Sequence, residues 1–488
     1  MTDRDDGMSG TAPVRFGSTQ GRWVIVAAVL GSGVVFLDGT VVNVALPSIS
    51  RDLHASVRGL QWMLDGYLVT LSSLLLLGGS AGDRYGRRRV FVAGLAGFVA
   101  ASVLCGFAPN MGFLIAARAL QGVAGALLVP ASLSIISSGF DPDDRGRAIG
   151  AWSGLAAVAG AAGPLLGGWL VDAASWRFIF FLNVPLAAAA VWLALNHVPE
   201  TRDEDAGPID LTGALLVSIG IALVAYALIE HGRGPAVPAG MAGVAALVGF
   251  VAVERRSDHP MLPLALFRSP QFTGANLATC AVYGAMSAAM FLLVLRLQVT
   301  LHYSALEGGA SLLPFTVLMV TLSARVGALA QRIGPRIPMT VGPLLSAGGL
   351  LLFARIEPGD HYVRAVLPAA VLFGLGMTLT VAPLTGAVLG AVDSRRAGVA
   401  SGVNNAVSRL AGLLGIALIP ALAGIDNGAG LARSLDHGYA AAMGISAALC
   451  ACGGVVSWLF VRTAAGVRPV THPATVHACH DPACAHAA

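Results

Sequence analysis

The sequence predicts an all-α membrane protein of fourteen transmembrane helices, arranged as two six-helix bundles with two additional helices between them. Three observations carry that prediction. Of 488 residues, 56% are hydrophobic and 11% charged, where a soluble domain carries about 25% charged residues; mean hydropathy is +0.75. Fourteen apolar runs come close to the ~20 residues needed to cross a bilayer. A Gly/Arg pattern also recurs at an offset of 248 residues, as a duplicated bundle would produce.

The runs fall near 23–46, 60–81, 90–108, 112–137, 148–171 and 176–198, then 211–230 and 236–253, then 273–298, 308–330, 339–356, 364–388, 399–423 and 438–461. An even number puts both termini on one side. All 30 basic residues are arginine. With the termini cytoplasmic, 19 arginines fall in cytoplasmic segments and 7 in external ones, leaving Arg118, Arg296, Arg325 and Arg409 inside spans. This positive-inside bias sets the orientation. It also accounts for the net charge of +4 without a nucleic-acid partner. Residues 1–22 are too acidic for a secretory leader, so the first run is expected to remain as a helix. The expected organisation is a cytoplasmic tail (1–22), a first bundle (23–198), a loop with two inserted helices (199–259), a second bundle (260–461) and a cytoplasmic tail (462–488).

An ionisable side chain inside a span is costly and marks function by default. Span 1 carries Asp38 in "FLDGTVVNVALP", about eight residues or ~12 Å from Leu46 at its outer end. Span 2 carries Asp65, about five residues or ~8 Å from Leu60, and span 4 carries Arg118, about six residues or ~9 Å from Gly112. The three charges are expected at similar depth. If their faces converge, one guanidinium stands between two carboxylates, and small changes of spacing load or release a proton. A fixed structural ion pair is the alternative. Arg409 lies midway along span 13, about a turn after Asn404 and Asn405, and either lines a cavity or latches to another helix. Asn43 and Gln121 are further polar candidates for that cavity. Trp62, Tyr67, Tyr283, Met286 and Met290 either line an adaptable apolar pocket or serve packing and lipid contact. Arg296, near the outer end of span 9, is expected to snorkel.

After span 2, "GSAGDRYGRR" (79–88) is echoed by "GALAQRIGPR" (327–336): Gly79, Asp83, Arg84, Gly86 and Arg88 meet Gly327, Gln331, Arg332, Gly334 and Arg336. Asp83 opposes Arg84, Arg87, Arg88 and Arg89 at a helix end, and Gly86 permits a tight turn. Such a cluster is suited to latching two bundles in one state and releasing them in another. In "AVAGAAGPLLGG" (157–168), Gly163, Gly167 and Gly168 allow close helix approach, and Pro164 removes a backbone donor and bends the helix. No phosphate loop with its Lys-Ser/Thr is present, so neither ATP nor a cofactor is expected. Cys105, Cys280, Cys450 and Cys452 read as small buried hydrophobes. In the tail, His477, Cys479, His480 and Cys484 are weak metal candidates whose spacing matches no closed zinc site.

Together these stretches resemble the major facilitator superfamily, in its fourteen-span drug:proton antiporter branch, over nearly all of residues 23–461. "GSAGDRYGRRR" (79–89) is similar to the family's cytoplasmic motif, although Ala81-Gly82 stands where the family has Leu-Ala. "RALQGVAGALLVP" (118–130) resembles its helix-4 motif, "GPLLGGWL" (163–170) its helix-5 antiporter motif, "WRFIFFLNVP" (176–185) the start of helix 6, and "LDGTVVNVALP" (37–47) the branch's helix-1 signature. The resemblance implies two bundles around a midplane site in a bacterial inner membrane. It further implies export of amphipathic, cationic small molecules in exchange for protons by alternating access. Asp38 and Asp65 then carry protons, Arg118 tunes them, the 79–89 cluster is the latch, and the helix-5 motif is a bend tied to outward opening. A dedicated exporter of a self-made antibiotic, siderophore or lipid would share every motif. A non-transporting sensor that reads metal through its tail is the third class.

Overall fold

In lipid, every backbone N–H and C=O must be satisfied within the protein, which leaves helices as the form for long apolar runs. The computed structural model describes residues 14–203, 210–232, 234–257, 260–392, 397–425 and 431–462. Its helices are α1 (Thr19–Asp52), α2 (Val57–Tyr85), α3 (Arg87–Gly106), α4 (Met111–Gly139), α5 (Pro142–Ala173), α6 (Phe178–Phe181), α7 (Asn183–His197), α8 (Leu211–Ile229), α9 (Ala236–Glu254), α10 (Pro270–Val299), α11 (Ala305–Ala310), α12 (Leu313–Ile333), α13 (Arg336–Phe353), α14 (Tyr362–Leu389), α15 (Ala397–Leu422) and α16 (Leu431–Phe460). Side-chain caps set several of the starts. Ser18, Ser56, Asn110 and Ser269 each accept from the amide three residues on, and Ser304 forms a capping box with Glu307. Each cap satisfies an amide that the first turn leaves without a partner.

The helices α6 and α7 form one span, Phe178–His197, and α11 and α12 another, Ala305–Ile333. α2 bends by 51° between Leu75 and Leu77. Just beyond the bend, Gly78 lies so close to α4 that a Cβ would sit 2.1 Å from the Ala126 carbonyl oxygen. With the bent helix counted once, the described residues hold fourteen spans long and apolar enough to cross a membrane, as the sequence predicts.

We call the face where α1 begins proximal and the face where it ends distal. In the first bundle, α1 packs on α5 and α7, and α4 on α2 and α3; in the second, α10 packs on α15 and α16, and α14 on α12 and α13. The inserted pair, α8 and α9, pack on each other, and α8 also lies against α2 and α15, across the seam. The sequence repeat has a backbone counterpart. Gly86 after α2 has φ +106° and Gly334 after α12 has φ +84°, conformations that glycine adopts without the steric cost other residues meet.

Arg296 departs from expectation. It is buried rather than snorkelling: it pairs with Asp436 of α16, donates to the Ile356 carbonyl at 3.1 Å and lies 5.2 Å from the Tyr439 ring centroid. A carboxylate on a neighbouring helix, invisible as a partner in sequence, allows the guanidinium to stay inside.

Candidate functional site

Asp38 is fully buried and sits at the centre of a four-helix hydrogen-bond network. Its Oδ2 accepts from Arg118 Nη1 at 2.5 Å. Its Oδ1 accepts from Gln121 Nε2 at 2.9 Å and from Asn183 Nδ2 at 3.1 Å. Arg118 also donates to Gln121 Oε1 at 2.7 Å, and Ser102 Oγ accepts from both Gln121 and Asn183, at 2.9 and 3.2 Å. The guanidinium stacks over Tyr67, 4.1 Å from its ring centroid. Buried ion pairs survive only when such added hydrogen bonds offset desolvation. Arg118 and Gln121 serve one site because residues three apart share a helix face.

Asp65 is equally buried, yet neither of its carboxylate oxygens has a hydrogen-bond partner among the described residues. The expected trio is thus a pair and a separate acid. At 3.6 residues per turn, Asp65 is turned about 100° from the face of α2 that carries Leu64, Tyr67 and Leu68. It shares instead the face of Gln61 and Val69, one turn to either side. Gln61 donates to the Ile416 carbonyl of α15 at 2.7 Å; Val69 clusters with Ile221 and Ala225 of α8 and Leu413 of α15. Asp65 therefore belongs to the junction of α2, α8 and α15.

Between the bundles lies a cavity of about 550 Å³. Met286, Met290, Phe315 and Met319 line it from the second bundle, and Tyr67, Thr40 and Asn43 from the first. Among the described residues, Arg118 is the one charged residue of the lining; neither Asp38 nor Asp65 takes part. Methionine walls adapt to varied apolar shapes. Of the other polar residues expected there, Gln121 is instead bound to Asp38. Asn404 donates within the second bundle to Asn276 and Thr279, at 3.1 and 2.8 Å, because its face of α15 meets α10. Asn405 is exposed and donates to the Ser401 carbonyl. Trp62 donates to Glu230 at 3.0 Å, and Tyr283 packs inside the second bundle. Arg409 is half-buried, its Cζ 5.8 Å from the Phe36 ring centroid across the seam.

The bundles are joined in their distal half. Gln298 donates to the Val44 carbonyl at 2.9 Å, and Asp172 at the end of α5 accepts from the Ala305 and Leu306 amides at 3.1 and 2.8 Å. The helix-5 glycines make this closeness possible. A Cβ on Gly163 would sit 2.0 Å from Thr40 Oγ1, one on Gly167 2.5 Å from Val41 Cγ2, and one on Gly168 2.6 Å from the Ala305 carbonyl oxygen. Across from them, a Cβ on Gly309 would sit 2.2 Å from the Pro164 oxygen. The motif thus presses α5 against α1 on one side and α11 on the other.

At the proximal end, Asp83 pairs with Arg87 at 2.8 Å. Glu200 accepts from the Arg88 and Arg89 amides at 3.1 and 3.2 Å, capping α3, and Arg88 donates to the Val198 carbonyl. Arg84 is exposed. Gly86 faces Glu200, whose Oε1 would be 2.7 Å from a Cβ there. These pairings of Asp83, Arg87 and Arg88 lie within the first bundle. The tail candidates His477, Cys479, His480 and Cys484 lie outside the described residues. Sequence reasoning missed Ser102, Asn183, Asp172 and Glu200. Ser102 and Asn183 had the same signal as Asp38, a polar side chain inside an apolar run.

Comparison with known proteins agrees with this architecture. The family model described as Major Facilitator Superfamily matches residues 28–416. The chain is 35% identical to the puromycin resistance protein pur8 of Streptomyces alboniger, covering 95% of this chain and 97% of that one. It is 35% identical to the multidrug resistance protein Stp of Mycobacterium tuberculosis, covering 81% and 74%, and 33% identical to the tetracenomycin C resistance and export protein of Streptomyces glaucescens, covering 86% and 80%. Among solved structures, a bacterial homologue of the human lysosomal transporter Spinster superposes with a TM-score of 0.68 at 17% identity, covering 92% of this chain and 98% of that one. Matching motifs, a two-bundle fold and this breadth of similarity place the chain in the major facilitator superfamily, as a multi-pass membrane protein.

Proposed function

We propose that the protein exports amphipathic small molecules in exchange for protons, by alternating access, with its proximal face in the cytoplasm. Relatives named for drug resistance and export support the direction and the substrate type. The observation that carries the proton coupling is the Asp38–Arg118 pair: a carboxylate buried behind the cavity wall, bound to the one charged side chain that lines the cavity among the described residues.

In the distally closed state, Asp38 is ionised and held by Arg118. When the bundles rock and external water reaches the site, a proton on Asp38 breaks the pair and frees the guanidinium. Return to the closed state delivers that proton to the cytoplasm and restores the pair. Asp65 is a second carrier: external water protonates it before α2, α8 and α15 close around it as the neutral acid, the form that burial costs least, and it releases that proton when the cytoplasmic side of the junction opens. Each proton entering gains ~2.3 kcal/mol per 100 mV of membrane potential. A self-made metabolite as cargo fits the same cycle, and the relative named for tetracenomycin C resistance and export supports it.

Everted membrane vesicles with an acid lumen, offered a panel of amphipathic dyes of either charge, test the reading. Dye should accumulate in the lumen and, on addition, dissipate the pH gradient. Dye movement indifferent to collapse of the gradient would leave a facilitator and no antiporter.

A further inference from the structure

We infer that the cavity selects amphipathic anions and that Arg409 holds their negative charge. The inference rests on reading the cavity as the substrate site, and it does not depend on proton coupling. Its starting point is a charge imbalance. The Arg118 charge is answered by Asp38 at 2.5 Å, out of reach of the cavity because Asp38 is fully buried behind it. Arg409 has no such answer. It lies about 12 residues, or ~18 Å, from the proximal end of α15, and among the described residues no ion pair joins it to a carboxylate. Its guanidinium meets the face of the Phe36 ring, within the ~6 Å of a cation–π contact.

Neither residue is part of the cavity lining, but both share helix faces with residues that are. On α15, Arg409 shares a face with Gly412 and Ile416, at spacings of three and seven. Ile416 lines the cavity, and Gly412 lies against Ser287, whose Oγ would be 2.7 Å from a Cβ there and which lines the cavity too. On α1, Phe36 shares a face with Gly39, Thr40 and Asn43, all three in the wall. Arg409 and Phe36 therefore continue that wall toward the proximal side.

A guanidinium with no counter-ion among the described residues is costly at mid-membrane, and a lining whose described residues include no carboxylate offers a cation no counter-charge. A carboxylate, phenolate or sulfonate on the substrate relieves both conditions through paired N–H donors, while the methionines take its apolar body. An inside-negative potential drives such an anion outward, the direction of export.

Fluorescein and rhodamine 123 share a xanthene ring system and differ in charge, so their binding to the full-length protein in lipid nanodiscs, read by fluorescence anisotropy, isolates the charge preference. Wild type should bind fluorescein about tenfold more tightly than rhodamine 123, a step equivalent to one good charged contact. Arg409→Gln should lose that preference, and Arg409→Lys should keep most of it. Rhodamine 123 bound more tightly by wild type, or neither dye bound, overturns the inference. So does an Arg409→Gln protein that binds fluorescein as wild type does, or that loses both dyes equally. Fluorescein bound by wild type but unmoved by a pH gradient would remove the proton coupling and leave the anion preference standing.

Discussion

Asp38 and Arg118 meet at 2.5 Å inside the first bundle, and Gln121 bonds to both. Removing one partner strands the other charge in a dry interior, which costs about 3–5 kcal/mol. Asp38→Asn and Arg118→Gln should each lower the detergent unfolding temperature markedly. The double variant should recover part of the loss. Additive losses in that cycle would mean that the pair contributes nothing as a pair.

Asp65 presents the opposite case, a buried carboxyl with no polar partner among the described residues. Asp65→Leu should raise thermal stability, by about 1–3 kcal/mol, because it removes an unsatisfied polar group. It should also reduce gradient-driven transport, the usual trade at a functional site. A less stable Asp65→Leu protein would point to a partner for the carboxylate that this conformation does not reveal.

Gly168 and Asp172 hold α5 against the start of α11. Gly168→Val cannot fit without moving the Ala305 backbone, and overpacking of this kind costs about 1–3 kcal/mol. Spin labels at the distal ends of α5 and α11 should report longer distances in Gly168→Val and in Asp172→Ala. Unchanged distances in both would show that the distal seal is made elsewhere.

Glu200 caps α3 through the Arg88 and Arg89 amides. Glu200→Ala should cost about 1 kcal/mol, the worth of a helix cap, and the loss should shrink little at high salt because the amides remain unpaired. A loss abolished by salt would assign Glu200 to surface ion pairing with Arg88 and Arg89 alone.

Much of the fold was legible because long apolar runs are a one-dimensional signal. The turn glycines Gly86 and Gly334 were legible for the same reason: a special backbone conformation selects one residue type. Depth could be read by counting along a helix, which put Asp38 and Arg118 at the common level where they meet. Rotation could not, since a helix face is fixed by neighbours that lie far away in sequence. Hence Asp65 turned toward α8 and α15, Gln121 toward Asp38, and Asn404 into its own bundle. Glu200 was hidden in an acidic loop whose residues look alike until one of them meets a helix start.

In the proposed exchange, protons enter through Asp38 as substrate leaves. Proteoliposomes that report dye and proton movement together test it most directly, comparing wild type with Asp38→Asn. Asp38→Asn should still exchange labelled for unlabelled dye across the membrane but lose the proton carried at Asp38 and concentrate dye against its gradient far less than wild type does. An Asp38→Asn protein that concentrates dye with wild-type proton flux would contradict it.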